Sequence, residues 1–105
     1  MDVKVSGRHL EITEAIRDYA GKRVAKLPKY FDRIQVVSVV ADKKDRTHEL
    51  EIIVQADRAE PFIGRATGQD LYACIDAAVD KIERQLADHK GKVRHRMGKT
   101  AARGG

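Results

Sequence analysis

Lys22, Lys26 and Lys29 recur at i, i+4 and i+7, and Arg23 stands beside the first of them. That spacing puts the lysines along one side of a helix, where like charges four residues apart repel by a few tenths of a kcal/mol. No Asp or Glu occurs between Ala20 and Phe31 to relieve them. Further on, Lys81 and Arg84 stand one turn apart, and His89, Lys90, Lys92, Arg94 and Arg96 follow. These are residue types that neutralise a phosphate backbone, and Arg adds a fork of two parallel hydrogen bonds to phosphate. The candidate RNA-contacting set is therefore Lys22, Arg23, Lys26, Lys29, Lys81, Arg84, His89, Lys90, Lys92 and Arg94. Ordinary solvated helix surfaces carry some of the same residues. The acid-free stretch and the basic tail favour binding.

Other chemistry finds less support. Cys74 has no His near it in sequence and sits next to the apolar position Ile75. A small buried thiol is its simpler reading, because free Cys commonly packs as a small hydrophobe. His9, His48, His89 and His95 are scattered without tight metal-ligand spacing, whereas zinc needs about four placed ligands. Asp76, Asp80 and Glu83 fall at i, i+4 and i+7. They read as a solvated polar face, with Asp80 paired to Arg84. No GxxxxGK[ST] or GxGxxG loop occurs, and Gly64-Arg65-Ala66-Thr67-Gly68 is too short and wrongly ordered to cradle a nucleotide. The expectation is a binding protein, not an enzyme, with no cofactor, no metal and no small-molecule substrate.

Aromatics are sparse, two Phe and three Tyr with no Trp. Base stacking is therefore a poor main recognition mode, and shape and phosphate recognition of structured RNA fits better. The 105 residues fit one domain. No apolar run approaches the length of a membrane span, so no membrane partner is expected. A single Cys and no apolar signal core at the start point to a cytoplasmic setting. Charge is divided unevenly along the chain. Residues 1–89 carry 15 Lys and Arg against 16 Asp and Glu, while residues 90–105 carry six basic residues and no acid. Such a tail suits an acidic partner, nucleic acid being the commonest.

The elements that must position these residues follow from periodicity. Val3-Lys4-Val5 opens a short strand over about residues 2–7. Thr13 caps a helix whose face is Ile16, Tyr19, Ala20, Val24 and Leu27, halted by Pro28. β-branched residues over 33–42 and clean alternation over 48–56 predict two strands. Residues 60–67 predict a fourth, an edge strand because of Pro61 and Gly64. Asp70 caps a second helix with the stripe Leu71, Ile75, Ala78, Val79, Ile82 and Leu86, stopping at Gly91. The order β-α-β-β-β-α predicts an α+β two-layer sandwich: a four-stranded sheet with both helices on one face. Residues 1–90 form the domain, and residues 91–105 are expected to be a basic tail, disordered when free. With the helices side by side, their outward cations would make one continuous patch.

Several stretches, in order, carry a family resemblance. They are Glu11-Ile12-Thr13-Glu14-Ala15-Ile16-Arg17, Ala25-Lys26-Leu27, Tyr30-Phe31-Asp32-Arg33-Ile34, Gly68-Gln69-Asp70-Leu71-Tyr72-Ala73, Ile75-Asp76, and Asp80 through Leu86. They resemble the ribosome hibernation promoting factor family, which includes the ribosome-associated inhibitor and was once called a sigma-54 modulation protein. The resemblance spans about Val3 to Arg94 and implies the same β-α-β-β-β-α fold. It implies a partner, the small ribosomal subunit and its ribosomal RNA. It further implies binding between the subunit's head and body, over the messenger and transfer RNA positions, so that translation is silenced by occlusion. By the resemblance Arg23, Lys26, Lys81, Arg84 and Lys90 match basic positions of the family and contact RNA; Arg17 and Arg33 match such positions too, with a role in the fold as the alternative. Lys22, Pro28 and Lys29 depart from the family's pattern, so their roles rest on the basic patch alone. The chain resembles the short form, whose members favour paired, inactive ribosomes. The alternative from another class is a protein-interaction module that modulates a transcription factor.

Overall fold

The computed structural model describes the backbone of residues 1–102 and the side chains of residues 1–91. The elements are β1 (Asp2–Arg8), α1 (Glu14–Val24), a 3-10 turn (Leu27–Lys29), β2 (Ile34–Lys44), β3 (Thr47–Ala56), β4 (Phe62–Gly68) and α2 (Leu71–Ala102). They form one sheet in the order β1-β2-β3-β4. β1 runs parallel to β2, and the other neighbours are antiparallel. The α1 crossover supplies the parallel step, and short turns supply the hairpins, as the spacing of the elements requires.

Alternation sorts the strands. Val37, Val39 and Ala41 on β2 and Leu50, Ile52 and Val54 on β3 are buried, and their neighbours face outward. The buried side meets Ala20 and Val24 of α1 and the stripe Leu71, Ile75, Ala78, Val79, Ile82 and Leu86 of α2 in one core. Both helices thus cover a single face of the sheet. Thr13 Oγ1 accepts from the Ile16 amide at 3.2 Å, and Asp70 Oδ1 accepts from the Tyr72 amide at 3.0 Å, so both expected caps form.

Two helix ends differ from the sequence expectation. α1 stops at Val24, and Pro28 sits inside the 3-10 turn that follows. α2 does not stop at Gly91 but continues to Ala102. A single Gly costs a helix about 1 kcal/mol without ending it, and Lys, Arg, Met and Ala beyond it are good helix formers. The expected tail thus opens as further turns of α2. Its side chains from residue 92 and its backbone from residue 103 lie outside the described residues.

Gly64 sets how closely α2 lies on β4. A Cβ there would stand 2.8 Å from the Ala78 carbonyl oxygen and 3.0 Å from Ile82 Cγ1. β4's outer edge is covered from the same helix: Lys81 Nζ donates to the Arg65 carbonyl, and Gln85 Nε2 donates to the Ile63 carbonyl at 2.8 Å. Satisfying edge carbonyls in this way blocks pairing with another strand.

At the far end of β1, His9 takes a left-handed backbone (φ 61°) and its Nδ1 donates to Asp42 Oδ1 at 2.9 Å. That bond holds the Asp42 carboxyl below the usual carboxylate range, burial opposes it, and the Lys43 amide helps. A depressed carboxylate stabilises the fold above its unfolded pKa and loses that contribution as pH falls through the folded value. His9→Ala should therefore lower the urea midpoint at neutral pH, and the two proteins should converge in acid. Parallel curves across the whole pH range would contradict this.

Candidate nucleic-acid interface

Four contacts define how the helices meet. Tyr19 Oη donates to Asp76 Oδ1 at 2.6 Å, and Arg23 Nη2 donates to Asp80 Oδ1 at 2.9 Å. Arg23 Nε lies 3.2 Å from Asp76 Oδ1, in ion-pair range but not aligned as a hydrogen bond. The Tyr19 and Tyr72 rings meet edge to face at 5.2 Å. Partners advance in the same direction along both helices, so α1 and α2 run parallel and their positively charged later turns fall at one end of the fold.

Arg23 is therefore a strut between helices as much as a surface cation; its side chain is only 27% exposed. Asp80 pairs with Arg23 and not with Arg84, which corrects the expected helix-internal pair. The reason is geometric: Asp76 and Asp80 both turn toward α1, where Arg23 can reach the two at once.

Lys22, Lys26 and Lys29 are exposed. Among the described residues they make no ion pair and no side-chain hydrogen bond, and the same holds for Arg84 and Lys90. Lys22 lies in the last turn of α1, where the helix dipole favours a cation by about 0.3–1 kcal/mol. Lys26 is the N-terminal cap of the 3-10 turn and Lys29 its last residue.

The remaining predicted residues divide. Arg84 stands about 40° around α2 from Asp80, on the outward side, by the 100° per residue of a helix. Lys81 stands about 140° from Asp76 and faces β4, where it caps the strand edge. His89 packs its ring edge-on against Phe31 (5.2 Å) and Phe62 (5.4 Å), so it is half wall and half surface. The side chains of Lys92 and Arg94 lie outside the described residues.

The expected single patch thus has two limbs. Lys22, Lys26 and Lys29 form one, and Arg84 and Lys90 form the other. Between them runs a seam in which Arg23 is shared by Asp76 and Asp80, leaving one negative charge in excess. Sequence spacing could not show the seam, since it depends on which side of α2 faces α1. Arg58, at the same end of the fold, escaped the sequence prediction, and Arg33 entered it only through the family resemblance. They line a cleft with Pro28, Phe31, His89 and Lys90, and only tertiary folding brings them together.

Cys74 is buried, and burial pushes its thiol pKa up, with Asp70 adding to the effect. That suppresses the thiolate a nucleophile would need.

Residues 3–94 match the family described as sigma 54 modulation protein / S30EA ribosomal protein. The chain is 40% identical over 94 residues to the ribosome hibernation promoting factor of Escherichia coli, covering 90% of this chain and 98% of that one. It is 36% identical over 103 residues to the Pseudomonas putida protein of the same name, covering 98% and 100%. Among solved structures it resembles the Thermus thermophilus Protein Y N-terminal domain (TM-score 0.78, 38% identity, 85% of this chain and 99% of that one). It shares its fold with a ribosomal subunit interface protein from Coxiella burnetii (TM-score 0.80, 20% identity, 87% and 99%).

Proposed function

Because the chain belongs to the sigma 54 modulation protein / S30EA ribosomal protein family, we propose that it is a ribosome hibernation factor that binds small-subunit ribosomal RNA in the decoding channel. There it occupies the space of messenger and transfer RNA and silences translation. The observation that carries this is the row Lys22, Lys26 and Lys29 beside Arg84 and Lys90. These cations make no ion pair among the described residues and lie toward one end of two parallel helices. Cations not held in an ion pair are available to phosphates. The names of its relatives support the ribosome as the source of those phosphates.

Arg23 holds α1 against α2, so that both limbs meet the RNA as one rigid surface. The basic residues after Gly91, Lys92 and Arg94 among them, extend the contact along the same RNA. Ribosome pairing belongs to the same proposal: a subunit fixed in the idle state is the substrate for association. An interaction module for a transcription factor is the competing reading, and it predicts salt-tolerant binding to a protein without ribosomes.

Salt dependence separates the two. If about six phosphates are neutralised, log affinity for vacant small subunits should fall against log salt with a slope of about −4 to −5. A slope near zero would remove phosphate contacts as the main source of affinity.

A further inference from the structure

We propose that the cleft at the end of the fold seats one phosphate of the RNA backbone between Arg33, Arg58 and Lys90. The interface would then continue from the helix face around the end of the sheet. This rests on the RNA-binding reading above and adds a site to it.

The cleft measures about 380 Å³ and lies between the 3-10 turn, the start of β2, the β3–β4 turn and α2. It has room for a phosphate and part of its sugar. The Asp57 amide donates to the Arg33 carbonyl at 2.9 Å, which pins the β3–β4 turn to the start of β2 and sets Arg58 beside Arg33. β2 and β3 also slip register between Ile34 and Val36. Such bulges re-aim side chains and are over-represented beside functional sites.

Arg58 is the informative residue. Its φ is 58°, in the left-handed region where Gly or Asn is the relaxed choice. A long cation at such a position is unexplained by the turn itself. Nor does an ion pair explain it. Asp32 and Asp57 line the same cleft, yet Arg33, Arg58 and Lys90 form no ion pair among the described residues.

These two carboxylates decide the kind of contact. They cancel most of the long-range field of the three cations, so the cleft does little to steer RNA from a distance. What remains is a short-range fork contact, for which guanidinium geometry is suited. His89, held edge-on by Phe31 and Phe62, supplies a stiff side wall. Lys29 and Lys90 connect the cleft to the two limbs of the helix face, so one RNA strand can follow all three.

Arg58→Gly and Arg58→Gln test this in the full chain. Gly relaxes the backbone and Gln keeps the strain, but both remove the charge. Each should bind vacant small subunits about tenfold more weakly, the loss of one charge-assisted contact. Each should make the salt slope shallower by about 0.7–0.9. Melting temperature should stay level for Gln and stay level or rise for Gly.

Affinity within twofold of wild type for both variants, with weakened binding by Lys26→Glu, would overturn the cleft site and leave the helix-face interface standing. If wild type itself fails to bind small subunits, both fall together. If the variants bind protein-free small-subunit RNA as wild type does but bind intact subunits weakly, the cleft holds a carboxylate of a ribosomal protein, which overturns the phosphate assignment.

Discussion

Reversing Lys26 and Arg84 together to Glu should lower affinity for vacant small subunits roughly 100-fold, or about 3 kcal/mol, while leaving the fold intact. One residue comes from each limb of the interface, and both are exposed. Neither makes an ion pair or side-chain hydrogen bond among the described residues, so stability has little to lose. Each reversal removes a phosphate contact and adds repulsion. The salt slope should also become shallower by about two contacts' worth, some 1.4–1.8. Equilibrium binding across a salt series, with melting temperature measured alongside, checks both halves. Unchanged affinity in a folded double variant would remove the helix face from the interface.

The second large effect is on stability. Gly64→Val should destabilise the protein by about 3 kcal/mol, at the upper end of overpacking costs. For a domain of this size that corresponds to a melting temperature lower by roughly 12–24 °C. The obstacle is a backbone oxygen: a Cβ at 64 would sit 2.8 Å from the Ala78 carbonyl, which cannot yield unless α2 moves. Moving α2 also shifts Arg84 and Lys90 relative to Lys22 and Lys26, so small-subunit affinity should fall along with stability. Gly64→Ala should cost less, and adding Ile82→Val should recover part of that loss. The Ile82 Cδ1 contact at 3.3 Å then disappears, while the Cγ1 contact at 3.0 Å and the Ala78 oxygen remain. Thermal or urea unfolding of the three variants measures this. A Val variant as stable as wild type would mean that α2 is free to slide on β4.

Much of the fold was legible because its signals are local. Alternation over β3, the caps Thr13 and Asp70, and the stripe from Leu71 to Leu86 each report a backbone conformation through neighbouring residues. Their burial in one core follows from the layers they build. The end of α2 was misread because Gly91 lowers helix stability without forbidding the helix.

The candidate site was legible only in its residue types. Lys22, Lys26 and Lys29 were found by a spacing read as one helix, although α1 stops at Val24 and the last two lie at the 3-10 turn after it. Lys81 carried the same charge signal, but its partner is a β4 carbonyl 16 residues away in sequence. Arg23 looked like one more free cation, yet Asp76 and Asp80, over 50 residues on, claim it. Arg58 gave no signal at all and Arg33 only the family resemblance, since a turn and a strand start become neighbours only through the β2–β3 pairing. Charge can be counted along a chain; whether a charge is already spent on the fold depends on tertiary contacts.

The most direct test is co-sedimentation of the purified protein with vacant ribosomes on a sucrose gradient, at low and high salt. A second sample is preloaded with messenger RNA and a P-site transfer RNA. Binding in the decoding channel predicts stoichiometric migration with the small subunit or whole ribosome at low salt, release at high salt, and exclusion from the preloaded sample. Protein remaining at the top of the low-salt gradient with vacant ribosomes would contradict ribosome binding itself. Equal binding to vacant and preloaded ribosomes would contradict occlusion.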